Sequence, residues 1–403
     1  MHIPFHSLSA NRRQALAILG TSLSLPLWAQ GSANWPAIES AARGQTVYFN
    51  AWAGSEQINA YLQWVASEVQ RRFGVKLEHV KITDAAEVVK RVRTEKAAGK
   101  QDGTVDLVWI NGENFLTMKR EALLFGPFAE VLPAFRYVDV AGKPTTRIDF
   151  SEPVEGMEAP WGMAQLTFFA DRKALPTPPR NMLAMLDLAR AKPGRLTYPR
   201  PPDFHGTTFV KQALLESSAD RTPFYKPCPA ASMAALSAPL WSYLDALHPH
   251  LWRAGKQFPK NSSAVRQMMS DGELVLALTF NPNEAANEIA AKRLADTVYS
   301  FQLAGGTIGN THFLAIPANA RAKEGAQVVA NFLLSPAAQA RKADIAQWGD
   351  PTVLALDKLS ASEQALFSAT PTPGQVAQTM PTLPEPHGSW VDPLEKEWLR
   401  RYG

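Results

Sequence analysis

Strand patterns and helix patterns take turns along this chain, and that order leaves few architectures open. Thr46-Val-Tyr-Phe-Asn50 reads as a strand, and Ser55 opens a helix whose apolar residues Ile58, Tyr61, Leu62, Val65 and Val69 share one face. Val75 to Val80 alternates in period two, Ala85 to Ala98 is helical, Val105 to Ile110 is a strand and Phe115 to Leu124 a helix. This alternation builds a mainly parallel sheet with helices on both faces, which holds ligands beyond the carboxyl ends of its strands. Loops 50–55 and 111–114 therefore border a cleft. Glu158 to Asp171 is extended between turn residues and reads as a first crossing between two lobes. A second run follows: strand Arg195 to Tyr198, loop 202–208, helix Phe209 to Glu216, helix Ser263 to Ser270, strand Glu273 to Phe280 and helix Glu284 to Leu294. Strands Thr297 to Leu303 and Thr311 to Ile316 return to the first lobe, and helix Lys323 to Leu334 follows. The proline-rich stretch Pro371 to Pro386 wraps the surface before a last helix at Pro393 to Arg401. The expected division is 44–162 with 306–345 as one lobe, 163–305 as the other, and a C-terminal segment 346–403 packed on both.

Size and composition agree with two lobes. The chain has 403 residues, 46% hydrophobic and 19% charged, the balance of a folded protein with more than one core. Its 41 Lys+Arg against 37 Asp+Glu form no dense basic block, which argues against a dedicated nucleic-acid binder. Cys228 is the only cysteine, so an intramolecular disulfide, a CxxC pair and a cysteine zinc site are excluded.

Residues 1–29 read as an export signal. Arg12-Arg13 precede an apolar run, Ala15 to Ala29, that is too short and broken to span a bilayer. The arginine pair resembles the twin-arginine signal, although Ala15 stands where that pattern has Phe, and the general secretion route stays open. Cleavage near Gln30 or Asn34 leaves 39 Lys+Arg against 37 Asp+Glu. The lone cysteine lies far from any cleavage site, so a periplasmic protein without a lipid anchor is expected.

The opening Val47-Tyr-Phe-Asn-Ala-Trp-Ala-Gly-Ser55, the Val105-Asp-Leu-Val-Trp109 strand, the Ala159-Pro-Trp-Gly162 crossing and the Met269-Ser-Asp-Gly-Glu-Leu-Val-Leu-Ala277 turn occur in the order found in the type II periplasmic solute-binding proteins of ABC importers. The chain resembles that family over nearly all of its mature length, and the YnjB-like proteins within it. The resemblance implies two αβ lobes, a small ligand held between them, hinge closure, delivery to a membrane permease, a monomer, and no cofactor, bound metal or enzymatic activity.

Three features could line the cleft. Gly54-Ser55 and Gly206-Thr207-Thr208 sit at strand-to-helix turns, where free N–H groups favour an anion; ordinary N-capping explains them equally well. Trp52, Trp161, Phe204 and Phe280 could stack on a flat ring or a cation, whereas Trp109 reads as core. Glu113 and Asp203, with Asn50, Asn111 and Asn281, would suit a cationic nitrogen compound such as a polyamine or a thiamine-like molecule. Glu56 and Glu284 read as first-turn helix charges. His205 and His312 lie near strand ends, where ligand contact and structural roles both remain open.

An exported enzyme is the competing class. The mature chain has neither a Gly-x-Ser-x-Gly elbow nor a His-Glu-x-x-His helix, and its one tight histidine pair, His248-Pro-His250, lies among loop residues.

Overall fold

The computed structural model describes residues 34–367, 372–377 and 379–403; the export signal expected at 1–29 lies outside them. The first half follows the sequence pattern closely. Helix α1 (Trp35–Ala42) leads into β1 (Thr46–Trp52), α2 (Glu56–Phe73), β2 (Lys76–Ile82), α3 (Ala85–Ala97), β3 (Leu107–Ile110) and α4 (Gly112–Arg120). Helix α2 shows why. Ser55 caps its first turn, Gly74 ends it at φ +68°, and Glu56 and Arg71/Arg72 lie at the termini whose partial charges they complement. Its buried face is Ile58, Tyr61, Leu62, Val65 and Val69, each contributing roughly 1.5 to 3 kcal/mol by leaving water.

A two-stranded hairpin, β4 (Ile148–Asp149) and β5 (Glu152–Pro153), precedes β6 (Glu158–Gln165) and β7 (Thr167–Asp171). Then come α5 (Met182–Ala191), α6 (Phe204–Ser217), α7 (Met233–Leu247), α8 (Ser262–Ser270), β8 (Leu276–Thr279), α9 (Glu284–Ala290), β9 (Val298–Phe301) and β10 (Thr307–Ala315). The chain finishes with α10 (Lys323–Leu333), α11 (Pro336–Ala343), α12 (Ala361–Ala365), β11 (Thr382–Leu383) and α13 (Val391–Tyr402).

The larger sheet runs β11-β10-β3-β1-β2, with β6 also paired to β10. β1 is parallel to β2 and β3, while β10 runs antiparallel to β3 and β6. Alternate residues face opposite cores: Val47, Phe49, Ala51 and Leu107 pack with α2 and α10, whereas Val108, Ile110, Phe313 and Ala315 pack with α3 and α4. The second sheet, β8-β7-β9, has a separate core. A parallel arrangement was expected in both lobes, and here the smaller sheet differs: both of its pairings are antiparallel. β7 follows β6 past the single residue Leu166, and both of its neighbours, β8 and β9, run against it.

Three further expectations change. Arg195 to Tyr198 forms no strand; Arg195 and Leu196 instead accept single backbone bonds from Val275 and Trp252. Helix α6 starts at Phe204, because Asp203 caps it, rather than at Phe209. Helices α5 and α7 were not foreseen, and Pro239 inside α7 hides its periodicity.

The chain passes between the sheets at Leu166 and again over 302–306. Gln165 ties these passages to the C-terminal segment: its Nε2 donates to Thr307 Oγ1 at 3.1 Å and to the Pro381 carbonyl at 3.1 Å. Three strands of chain are thus gathered where the two cores meet.

Candidate functional site at the junction of the two sheets

The helix N-termini that could hold an anion are occupied by the protein's own side chains. Ser55 Oγ accepts from the Ile58 N–H, and Asp203 Oδ1 accepts from His205 N at 3.0 Å and Gly206 N at 3.2 Å. At α4 the cap comes from a distance: Gly112 N–H donates to Asp149 Oδ2 at 2.5 Å. Asn111 opens that helix without a side-chain cap. Thr207 is also committed, donating its hydroxyl to Glu395 Oε1 at 2.6 Å.

Carboxylates gather around one ammonium at this junction. Lys211 Nζ pairs with Glu385 Oε2 at 2.6 Å, both side chains being 1% exposed, and lies 4.2 Å from the Phe150 ring centroid and 5.8 Å from that of Phe204. Asn310 Nδ2 donates to the other Glu385 oxygen at 3.1 Å. Burial pushes the Glu385 carboxyl up against the pull of Lys211. Burial likewise raises Glu113, with Asp84 and Glu385 adding to it, and lifts Asp149 well above the carboxylate range, with Glu113 and Glu385 adding. Behind Asp149, burial and the Asp149 charge do the same to Glu158. Among the described residues, Asp149 Oδ1, Asn310 Oδ1 and both Glu158 oxygens are buried without a hydrogen-bond partner. The backbone next to them is strained: Phe150 and Ser151, joining β4 to β5, stand at φ +43° and +62°, costing on the order of 1 to 3 kcal/mol each.

A second buried charge cluster joins β10, α11 and the loop that follows α11. Lys342 and His312 Nε2 both bond Asp350, the histidine at 3.1 Å, and Gly162 leaves no room for a Cβ above them. Although burial works to raise it, Lys342 and His312 hold the Asp350 carboxyl below its ordinary value. Trp109, Trp161 and Trp348 close around this group with centroids 5.0 to 5.8 Å apart.

The residues singled out from sequence divide accordingly. Trp161, expected to face ligand, is fully buried in the first core, because β6 turns it toward Phe49 and Trp348. Asn50 is buried as well, its Oδ1 accepting from Arg91 at 3.3 Å. Trp52 is half-buried and folds its ring back over Gly54, filling the space a side chain there would need. Phe204 is 37% exposed and meets Phe280 edge to face at 5.1 Å, with His205 Nδ1 3.7 Å from Asp203. Asn281 spends its amide on the Trp348 carbonyl, and Asn283 and Asn287 donate to Gly349 and Ile345 at 2.6 Å each, so this edge of the second core is bonded to the first. Glu113 is half-buried beside Asn114. A cavity of about 190 Å³ lined by Val92, Lys96, Leu123 and Asn319 lies at the other end of β3, away from these residues.

Sequence reasoning missed Asp149, Phe150, Lys211, Asn310, Glu385 and Glu395. Glu385 between two prolines was the most visible of them, since a charged residue inside a rigid segment is held in place. Among the described residues, no group of three or more His, Cys, Asp or Glu is set to hold a metal, and no helix is long and apolar enough to cross a membrane.

No protein-family model matches the chain. Protein YnjB of Escherichia coli (strain K12) is 49% identical over 383 residues, which cover 94% of this chain and 97% of the relative. Among solved structures, the TpPotD lipoprotein of Treponema pallidum superposes with a TM-score of 0.64 at 14% identity, covering 89% of this chain and 99% of that one. The periplasmic binding protein AfuA from Actinobacillus pleuropneumoniae, solved with fructose-6-phosphate, gives 0.62 at 13% identity over 89% and 99%. The spermidine/putrescine ABC transporter substrate-binding protein PotD from Streptococcus pneumoniae gives 0.56 at 11% over 89% and 98%. These likenesses show the fold, that of the type II periplasmic binding proteins. With nearly half its residues shared across almost its whole length, the chain belongs to the YnjB family.

Proposed function

We propose that this chain is a solute-binding protein that captures a small organic cation between its two sheet-bearing lobes and delivers it to the permease of an ABC importer. It would act in the periplasm as a monomer, after loss of the leader at 1–29, and without enzymatic activity. The lobes would be residues 44–162 with 306–345 and residues 163–305, and the passages tied together by Gln165 would be the hinge about which they close.

One observation carries the cationic reading: Glu385 already pairs with the buried Lys211 ammonium, and three further carboxyl groups, Glu113, Asp149 and Glu395, lie within electrostatic reach of it, while Asp149 and Asp203 accept from N–H groups at the starts of α4 and α6. An ammonium about 4 Å from one such carboxylate gains about 4 kcal/mol at an effective dielectric of 20, before desolvation. An anion would meet the same carboxyl groups, with Asp149 and Asp203 already accepting from N–H groups at the starts of α4 and α6. The spermidine/putrescine binding stated for the structural relative PotD supports the same chemical class.

A thermal-shift panel tests it. Putrescine, spermidine or thiamine should raise the melting temperature, since a ligand at a hundred times its Kd adds about 2.7 kcal/mol, while phosphate and sugar phosphates should not. A shift with anions alone overturns the cationic reading.

A further inference from the structure

The C-terminal segment does more than cover the surface. From Glu385 to Trp390 it runs between the two cores: Ser151 Oγ donates to the Glu385 carbonyl at 2.7 Å, Gly388 N–H donates to the Phe150 carbonyl at 3.1 Å, and His387 N–H donates to the Phe224 carbonyl at 2.8 Å. Gly388 packs closely on the backbone of Glu113, where a Cβ would stand 3.2 Å from its Cα and N. Helix α13 is then anchored in the second core by Trp398, fully buried, whose Nε1 donates to Tyr198 Oη at 2.8 Å. This route delivers the half-buried Glu395 to the first turn of α6, where one of its carboxyl oxygens accepts from Thr207.

We propose that the C-terminal helix is the third wall of the binding site, and that Glu395, fixed by Thr207 and acting with Glu113, receives the ammonium group of the ligand. The inference rests on the solute-binding reading above and names a specificity-determining residue for it.

Three observations converge on this assignment. Lys211 is already matched by Glu385, which leaves Glu113 and Glu395 as acids from two different elements with no cation of their own among the described residues. Asp149, 1% exposed, carries an unpartnered oxygen and has Lys211, Glu113 and Glu385 acting on it, and Asn310, which donates to Glu385, carries an unpartnered oxygen as well. The strained Phe150–Ser151 turn is held in place by the very segment that brings Glu395 in. The charged and titratable groups acting on Glu395 are Glu113 from α4, Lys211 from α6 and Asp392 from its own helix; Thr207 supplies the hydrogen bond.

The Glu395→Gln variant separates binding from structure, because it keeps an acceptor for Thr207 and removes only charge. Calorimetric titration of the mature protein with putrescine and spermidine should show at least a tenfold weaker binding in Glu395→Gln, with an unliganded melting temperature no lower than that of the parent. Glu397→Gln, on the same helix but paired with Arg400 and Arg401, should bind as the parent does. Equal affinity of the parent and Glu395→Gln overturns the inference, as does a parent that binds neither amine. In either case a different solute retained in the native mass spectrum leaves the carrier function standing, whereas no retained solute and no ligand-induced shift removes both.

Discussion

Two buried charge clusters lie within one molecule and are built in opposite ways. Around Asp350, a lysine and a histidine meet one carboxylate under a lid of three tryptophans, and each charge has a partner. Around Lys211, carboxyl groups outnumber the ammonium, and Asp149 Oδ1 and Asn310 Oδ1 are buried without a hydrogen-bond partner among the described residues. Burying a charge costs several kcal/mol unless it is paired. A fold can afford the first cluster without help. The second makes sense as a place that something bearing donors completes.

The sharpest way to break this comparison is the same substitution in both clusters. Asp350→Asn leaves the fully buried Lys342 without a counter-charge and should cost about 3 to 5 kcal/mol in urea unfolding. Trp161→Ala should cost about 3 to 4 kcal/mol, and lower ligand affinity only as far as the fold loosens. A large loss of affinity at unchanged stability would return Trp161 to the cleft.

Glu395 gives a pH signature of intermediate size. Burial first, then Glu113 and Asp392, push its carboxyl up to about 7 against the hydrogen bond from Thr207. The folded state therefore holds this proton more tightly than the unfolded chain. The associated stability is complete below the unfolded value and is lost as pH rises from about 4.5 to about 7. At about 1.4 kcal/mol per unit the full shift corresponds to about 3.5 kcal/mol, which solvent screening of this half-buried group reduces to on the order of 2 to 3 kcal/mol, and Glu395→Gln should flatten that part of the curve.

The smallest effect is the most telling. Asp149→Asn retains an acceptor for Gly112 N–H while removing a carboxylate that burial disfavours, so unliganded stability at pH 8 should change by less than about 1 kcal/mol or rise. Amine binding should nevertheless weaken. A loss as large as that in Asp350→Asn would make the two clusters equivalent.

The larger sheet was legible because its signals are local. Period two in 75–80, the short strand patterns at 46–50 and 105–110 and the helical face of 58–69 each fix an element without reference to anything distant. Strand direction in the smaller sheet is a long-range property, set by which strands pair with β7, and no local period reports it. The site divides in the same way. Ser55 was visible at its turn and Gly206-Thr207 stood for the second one, which Asp203 in fact caps; cap and anion site share one sequence signature, and only the side-chain geometry decides between them. Lys211 and Glu385 are 174 positions apart and meet only because the C-terminal segment crosses both cores.

The central claim is that the acid-rich junction holds an organic cation. Native mass spectrometry of the gently purified full-length mature protein reads this directly, because a carrier retains its solute. The account expects a retained mass matching an amine or quaternary ammonium compound, lost in Glu395→Gln. A retained sugar phosphate or other anion, undiminished in that variant, would contradict it.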